Sequence, residues 1–513
     1  MQKHKIIEYI DILKKNNQLE KIVNCDEILE NEVENISYNS SNVKENTLFV
    51  CKGFGDNFKK EYLEEAIKKG AFAYVSQKQY EVDIPCILIK DCFVSLSVVS
   101  GLYFNSVSNK LNMIGVTGTK GKSTTSYFVK YILDEYALAN DKKNTAIISS
   151  IFTYDGKNTY KSKLTTPESL ELFQNINNAY ESNIENVVME VSSQALKIGR
   201  VHSIDYDICA FLNISEDHIG PIEHPNFDDY LDSKLKLFQK SKVSCINLDM
   251  DYIDKVIEKA RESKTKIITF STKNKEANIY GYNIRKIELN TIFTVKTERE
   301  TFDVTLTIPG LFNVENALAA IAIAKDMNID NEYIISGLEK AKSAGRMELY
   351  YSKDNKILSI VDYAHNKVSF EKIFETTKKE YPDRKIIAIF GCPGNKAQIR
   401  RKDLGEVSGK NADYIYITED DSAFETVLQI SKEVEKYVKK YTTNYEIVED
   451  RTEAIKKAVT KAVTSDEKYI ILLLGKGNEE SQKVGGKLVS YLGDSNNIKK
   501  CISEYECEKG VSN

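Results

Sequence analysis

The sequence predicts an α/β protein whose parallel sheets are covered by helices. Three observations carry this. Apolar runs of strand length alternate with charged helical stretches along most of the chain; several runs are apolar throughout, as in strands buried on both faces; and a glycine-rich loop joins one such run to a helix. With 513 residues the chain exceeds a single core, and a prior of ~150 residues per domain suggests three. It is 42% apolar and 29% charged, a globular balance. The net charge of −5, with signs interspersed, leaves no basic footprint for nucleic acid or an anionic membrane.

The first segment, 1–108, alternates the apolar runs NTLFVCKG, AFAYVS and IPCILIKD with the helical stretch EYLEEAIKKG, which ends on a glycine. It reads as a small α/β domain. Its start, MQKHKIIEYIDILKKNNQLEK, lacks the apolar core of a secretory leader, and no apolar run approaches the ~18 residues of a membrane span. The polar link SVSNK leads into the second segment, 109–344. There KLNMIGVTG is a strand, followed by the glycine loop and a helix from Ser123 to about Tyr136. NVVMEVSS, YDICAFLNI and VSCINL follow as buried parallel strands, and GLFNVENALAAIAIAKDM as an alanine-rich helix.

In the third segment, 345–513, the strands are ILSIVDYAH, RKIIAIFGCPGN, ADYIYIT and KYIILLLGKGN. Ligands of such sheets bind beyond the carboxyl ends of the strands, which is where DYAH, GCPGN, TEDD and GKGNEE fall. Nine cysteines without a CxxC pair predict reduced, mostly buried thiols in a cytoplasmic protein.

The loop GVTGTKGKST follows a strand and opens a helix, as a phosphate cradle must. Gly118 and Gly121 let backbone N–H groups approach phosphate oxygens, Lys122 neutralises charge, and the hydroxyl of Ser123 or Thr124 suits Mg²⁺. Val116 stands where the strict pattern has its first glycine. Glu190 ends an apolar strand; a carboxylate there either ligates the metal or positions water, or else simply faces solvent. Asp217 and His218 follow another strand, and Lys234 lies on the helix DDYLDSKLKLF. Taken singly, His218 reads as a satisfied polar residue and Lys234 as a solvated charge.

Taken together, TGTKGKSTT, LTTPESLELF, MEVSSQAL, NISEDHIGPIEHPNFDDYLDSK, GLFNVENALAA, GRMEL, VDYAH, GCPGNK and GKGNE resemble the Mur ligases nearly end to end. Within that family they are most like the MurE type, which adds the third amino acid to the peptide stem of a peptidoglycan precursor. The resemblance implies a three-domain architecture: an N-terminal domain for the UDP-MurNAc-peptide, a central P-loop ATPase domain and a C-terminal Rossmann-like domain for the amino acid. It also implies that ATP converts a carboxylate to an acyl phosphate, which an incoming amine displaces.

On this resemblance Gly118, Thr119, Lys120, Gly121, Lys122, Ser123 and Thr124 cradle ATP, with Asn316, Arg346, Asp362 and His365 around the nucleotide. Ser123 and Glu190 ligate one Mg²⁺, and His218 a second, faced by a carbamylated Lys234. A carbamate there explains a lysine near a metal that an ammonium would repel. Lys122, Glu190, His218 and Lys234 thus form the catalytic set. Tyr38 and Ser40 of SYNSS, with the region near Lys52, meet the UDP-linked muramyl dipeptide, and Thr165, Thr166, Ser192 and Arg200 hold its far part. YNSS replaces a common Asp-Ser-Arg, the largest departure from the family.

The amino-acid site falls on Arg401, Asp420, Asp421, Ser422, Ala423, Gly475 and Glu479. Diaminopimelate-adding members carry Asp-Asn-Pro-Arg, whose arginine pairs with the substrate's distal carboxylate. Here Ala423 replaces that arginine, and Asp420 and Asp421 favour a distal ammonium, so L-lysine is expected; meso-diaminopimelate and L-ornithine are the alternatives. Arg401 matches the arginine that holds the amino acid's carboxylate, and Glu479 suits either distal amine. A folylpolyglutamate synthetase-like ligase and a non-catalytic P-loop protein are remoter readings, against which LTTPE, EVSSQAL and the DH…K constellation stand. A monomer is expected, without nucleic acid or membrane insertion.

Overall fold

The run KLNMIGVTG forms the strand Asn112–Thr117, the middle of an eight-strand series ordered Thr159–Lys161, Phe152–Tyr154, Ala146–Ile148, Asn186–Glu190, Asn112–Thr117, Tyr206–Phe211, Ser241–Asn247 and Lys266–Ser271. From Ala146–Ile148 onward every pairing in the series is parallel. The central strands Asn186–Glu190, Asn112–Thr117 and Tyr206–Phe211 are mostly apolar and buried, as strands covered on both faces are. Ile279–Ile287 begins alongside the last of them, with Ile279 opposite Phe270. The computed structural model describes residues 2–53, 58–217, 219–220, 223–287, 289–308, 310, 312–342, 345 and 347–509.

After Asn112–Thr117 the chain builds first to one side of that strand and then to the other. Its carboxyl end is therefore a switch point, where parallel sheets open a crevice. Register places Glu190 beside Val116 on one flank and Phe211 beside Thr117 on the other. The helix expected from Ser123 runs Lys122–Ala139, three residues past Tyr136, because the segment Ala137-Leu138-Ala139 favours helix and the first left-handed residue is Asp141. The alanine-rich stretch forms the helix Phe312–Asp326, whose Ala317–Ala324 are buried all round.

The first segment's runs form Thr47–Val50, Ala71–Ser76 and Cys86–Ile89, within a five-strand sheet completed by Leu19–Val23 and Asn35–Ser37. Helix Ile6–Lys15 packs Ile6, Tyr9, Ile10 and Leu13 inward, at helical spacing. Helix Cys92–Tyr103 lacks any amphipathic stripe and is buried nearly all round, with Asp91 capping it by accepting from the N–H groups of Phe93 and Val94.

By its contacts the chain divides into two units: Met1–Tyr282 with Thr294–Phe302 and Glu315–Leu338, and Asn283–Phe293 with Asp303–Val314 and Glu339–Asn513. The second unit holds a six-strand sheet ordered Glu348–Tyr351, Leu358–Asp362, Tyr469–Leu474, Lys385–Phe390, Tyr414–Ile417 and Tyr445–Ile447, parallel after the first strand. The four central strands are the four apolar runs of the third segment. A hairpin, Ser481–Val484 with Lys487–Ser490, follows the strand Tyr469–Leu474. Eight cysteines are buried and Cys507 is exposed, all as free thiols. Among the described residues no helix is long and apolar enough to cross a membrane.

Candidate active site

Loop 118–121 leaves the switch point and the helix begins at Lys122, so the helix's unpaired N–H groups open there. Gly121 lies in the left-handed region (φ 87°), and a Cβ on it would stand 2.3 Å from Asn316 Oδ1. Asn316 therefore packs directly against the loop. Asn213 fixes the loop from the other side: its carbonyl accepts from Thr119 N (3.1 Å) and its Oδ1 from Lys120 N (2.9 Å). Lys120 Nζ pairs with Asp217 at 3.0 Å.

Lys122 Nζ donates to the carbonyls of Gly118 (2.8 Å) and Thr119 (3.2 Å). Lys234, on helix Phe227–Leu235 and 1% exposed, donates to the same Gly118 carbonyl at 3.0 Å. Burial, and next the Lys122 ammonium, hold its amine well below the usual lysine range, against a weaker pull from Asp217. The Tyr230 ring lies 4.8 Å from Lys234 Nζ, and its hydroxyl donates to Thr119 Oγ1. Lys234 is thus a buried amine at the loop.

Glu190 is buried at its strand end and accepts through Oε1 from Ser150 N (2.7 Å) and Ser150 Oγ (3.1 Å). The Ser150 hydroxyl is also hydrogen-bonded to that of Ser123, at 3.0 Å. Thr124 is buried on the same helical turn. A carboxylate and a hydroxyl beside a phosphate loop are hard oxygen donors, the set Mg²⁺ takes together with water and substrate phosphate. These residues fit the ion. His218 and Arg346 lie outside the described residues.

From Glu190 a polar chain leads away from the loop. Thr166 Oγ1 donates to the Glu190 carbonyl (2.9 Å) and accepts from Ser192 N (3.0 Å). Ser192 Oγ caps helix Ser193–Lys197 by accepting from Ala195 N. Arg200 pairs with Glu168 at 2.7 Å, and Lys52 reaches the other oxygen of Glu168 at 3.2 Å. The Lys52 ammonium stands 4.0 Å from the Tyr38 ring centroid, and Tyr38 donates to Glu171. Arg200 Nη1 donates to the Thr166 carbonyl at 3.4 Å, so Tyr38, Lys52, Thr166, Ser192 and Arg200 are connected, with Thr165 half-buried beside Thr166. Ser40 stands apart, donating to Glu65 at 2.7 Å.

In the second unit Asp362 ends its strand and accepts from Met347 N (2.8 Å) and Ala364 N (2.7 Å), while His365 Nδ1 is 2.8 Å from the Tyr363 carbonyl. Arg401, 2% exposed, splits its guanidinium between Glu425 and Glu433, each at 2.7 Å. Its expected carboxylate partner is matched here by two of the chain's own glutamates. Ala423 is left-handed (φ 54°); its N–H donates to the Lys483 carbonyl and its carbonyl accepts from Gly485 N, tying it to the hairpin. Ser422 donates to Glu419 at 3.4 Å, and Gly475 N donates to the Asp362 carbonyl at 3.2 Å.

Asp420, Asp421 and Glu479 converge on one group that sequence reasoning missed. Lys476 Nζ lies 2.6 Å from Glu479, 3.0 Å from Asp421 and 3.8 Å from Asp420. Burial opposes its charge, but Asp420 and Glu479 hold its ammonium above the usual lysine range. Burial raises the Asp420 carboxyl, against Lys476 and Arg451. The sequence signal was a lysine between two glycines at a strand end, three residues before Glu479. Ser150 and Glu168 were missed as well. Glu168 sits inside the quoted LTTPE motif, whereas nothing local marked Ser150.

Comparison with known proteins accords with this geometry. Residues 116–324 match the Mur ligase middle domain, and 345–477 match the Mur ligase, glutamate ligase domain. The chain is 37% identical over 474 residues to the UDP-N-acetylmuramoyl-L-alanyl-D-glutamate--L-lysine ligase of Enterococcus faecalis, covering 91% of each chain. It is 36% identical over 507 residues to the like-named enzyme of Streptococcus agalactiae, covering 97% of this chain and 99% of that one. A solved UDP-N-acetylmuramoyl-L-alanyl-D-glutamate--2,6-diaminopimelate ligase shares the fold, with a TM-score of 0.69 over 98% of this chain and 100% of that one, at 22% identity. With its phosphate loop, buried lysine and strand-end glutamate inside the matched middle domain, the chain belongs to the Mur ligase family.

Proposed function

We propose that the chain is an ATP-dependent ligase that adds L-lysine to the D-glutamate of UDP-MurNAc-L-Ala-D-Glu through an acyl phosphate, in cytoplasmic peptidoglycan precursor synthesis. The observation that carries this is the pair of lysines, Lys122 and Lys234, on the Gly118 carbonyl within the domain that holds Glu190. The names of the relatives support the substrates. The segments 1–108, 109–344 and 345–513 serve as the dipeptide, ATP and amino-acid domains.

The glycine loop and the helix N-terminus hold the ATP phosphates, and Lys122 turns from its loop carbonyls to the transferred phosphoryl group. That group passes from ATP to the D-glutamate carboxylate, and ADP is left. The lysine amine then attacks the acyl carbon: a C–N bond forms, the C–O bond to phosphate breaks, and the amine loses a proton. Lys234, whose amine burial holds well below the usual lysine range, would combine with CO₂ and release a proton to become a carbamate. Ser123 and Glu190 would hold one Mg²⁺, and His218 a second that this carbamate would face. Mg²⁺ when bound neutralises the charge on the phosphates. Tyr38, Ser40, Thr165, Thr166, Ser192 and Arg200 bind the muramyl dipeptide, and Arg401 the amino acid's carboxylate.

L-lysine is favoured over meso-diaminopimelate because Ala423 offers no guanidinium to a distal carboxylate, while Asp420, Asp421 and Glu479 supply negative charge. The test is phosphate release with MgATP and UDP-MurNAc-L-Ala-D-Glu, comparing L-lysine, meso-diaminopimelate, L-ornithine and no amino acid. Turnover with L-lysine alone is expected. Turnover with diaminopimelate alone would overturn the specificity, and silence with every amine would overturn the ligase.

A further inference from the structure

Lys476 follows the strand Tyr469–Leu474 between two left-handed glycines, Gly475 (φ 104°) and Gly477 (φ 52°). A Cβ on Gly477 would stand 2.9 Å from the Tyr363 Cβ and 3.0 Å from the Gly345 carbonyl, so the turn is packed as well as bent. The Lys476 side chain is 0% exposed. A buried lysine needs one carboxylate to balance its charge, and this one faces three. They come from two loops more than fifty residues apart in sequence, with Lys476 and Asp421 separated by 55. Arg451, the other cation near Asp420, is committed to Asp494 at 2.7 Å with both side chains buried. Lys396 also acts on Asp421, and Glu419 adds a further carboxylate beside Asp420, so the cluster keeps an excess of negative charge after these cations are counted.

We propose that Lys476 is a positioning residue for the amino-acid substrate: its ammonium gathers Asp420, Asp421 and Glu479 into one acidic cradle whose remaining charge receives a second, substrate ammonium. This rests on the reading of these residues as the amino-acid site. The geometry explains why a lysine stands in a site meant to attract a cation. Without it three half-buried carboxylates repel one another, and they relieve the repulsion by moving apart or taking up a proton. With it they stay gathered on one ammonium. Asp421 is held further by accepting from Lys483 N at 3.0 Å, which ties the cradle to the hairpin behind Ala423. The ligand class is an amino acid with a distal ammonium and no distal carboxylate. A neutral side chain of equal length leaves the excess charge unanswered, and a distal carboxylate adds to it.

The experiment compares the full-length protein with Lys476→Met and Lys476→Arg. It measures KM for L-lysine, ATP and UDP-MurNAc-L-Ala-D-Glu, and kcat/KM for L-lysine against L-norleucine, after checking each variant's thermal melt. K476M is expected to raise KM for L-lysine about tenfold or more and to shrink the preference over norleucine. KM for ATP and for the dipeptide should stay within about twofold, and K476R should restore most of the L-lysine affinity. An unchanged KM for L-lysine in K476M, or an equal rise in all three constants, overturns the inference. So does a wild-type protein that uses norleucine as well as lysine, a result that stands even if K476M fails to fold. Wild-type protein inactive with L-lysine would instead overturn the functional reading beneath it.

Discussion

Lys122 and Lys234 direct their amines to one acceptor, the Gly118 carbonyl, at 2.8 and 3.0 Å. Two full positive charges on one carbonyl are unfavourable, and burial together with the Lys122 ammonium holds the buried partner's amine well below the usual lysine range. Lys234 therefore binds fewer protons folded than unfolded. Its folded pKa is depressed, so stability rises with pH between that depressed value and the unfolded lysine value, and falls as pH drops through the window. Lys234→Met removes the penalty. In CO₂-depleted buffer at neutral pH it is expected to melt no lower than wild type and to gain on it as pH falls, by about 1–4 kcal/mol if it behaves like a buried charge replaced by an apolar side chain. The same variant should lose nearly all turnover, with no rescue by millimolar bicarbonate, whereas wild type stripped of CO₂ should recover when bicarbonate returns. Full activity in K234M would remove the carbamate from the mechanism.

Gly121→Ala tests the loop. The new methyl meets Asn316 Oδ1 at 2.3 Å, and the left-handed backbone costs about 1–2 kcal/mol for any L side chain. KM for ATP should rise at least about tenfold, the equivalent of 1.4 kcal/mol. Adding Asn316→Ala removes the clash and leaves the strain, so the double variant should recover only part of the loss. Complete recovery would mean that the strain contributes nothing.

Ser150→Ala tests the support of the metal site. Ser150 makes two hydrogen bonds to Glu190 Oε1 and one to the Ser123 hydroxyl; the variant keeps the backbone bond and loses both that run through the side chain. Loss of such an orienting partner typically costs 10–100-fold in metal affinity. The Mg²⁺ concentration for half-maximal activity should rise within that range while KM for L-lysine stays put. An unchanged Mg²⁺ requirement would separate Ser150 from the metal.

These cases mark what was legible in the sequence. The phosphate loop and Glu190 could be read because each is a local pattern, a strand end followed by a few residues of fixed chemistry. Parallel strands were legible as apolar runs, since burial on both faces removes alternation. Helix Cys92–Tyr103 was not, because burial all round erases the 3.6-residue period as well. The pairings that organise the site are tertiary: Ser150 meets Glu190 across 40 residues, Arg401 meets Glu433 across 32, and Lys476 meets Asp421 across 55. No propensity or spacing rule reaches that far. Where the sequence suggested that Asp420 and Asp421 await a substrate ammonium, only the fold revealed the ammonium already among them.

Ala423 allows stability and specificity to be separated at one position. Its φ of 54° is unfavourable for alanine, and the strain is held by backbone bonds to Lys483 and Gly485. Ala423→Gly keeps those bonds and removes the strain, so it should stabilise the second unit by about 1 kcal/mol without altering amino-acid preference. Ala423→Arg keeps the strain and adds a guanidinium, which recognises a carboxylate through two parallel hydrogen bonds. With Asp420 and Asp421 next to it in the chain, that guanidinium has rival partners at hand. Only part of its pairing capacity reaches a substrate's distal carboxylate. A423R is therefore expected to gain measurable turnover with meso-diaminopimelate and to lose affinity for L-lysine, because its positive charge offsets the cradle's excess negative charge. The measurement is kcat/KM for the two amino acids, read beside a thermal melt for each variant. If A423R shifts both substrates equally, position 423 acts through loop geometry alone. If A423G alone changes the preference, strain rather than charge selects the amino acid.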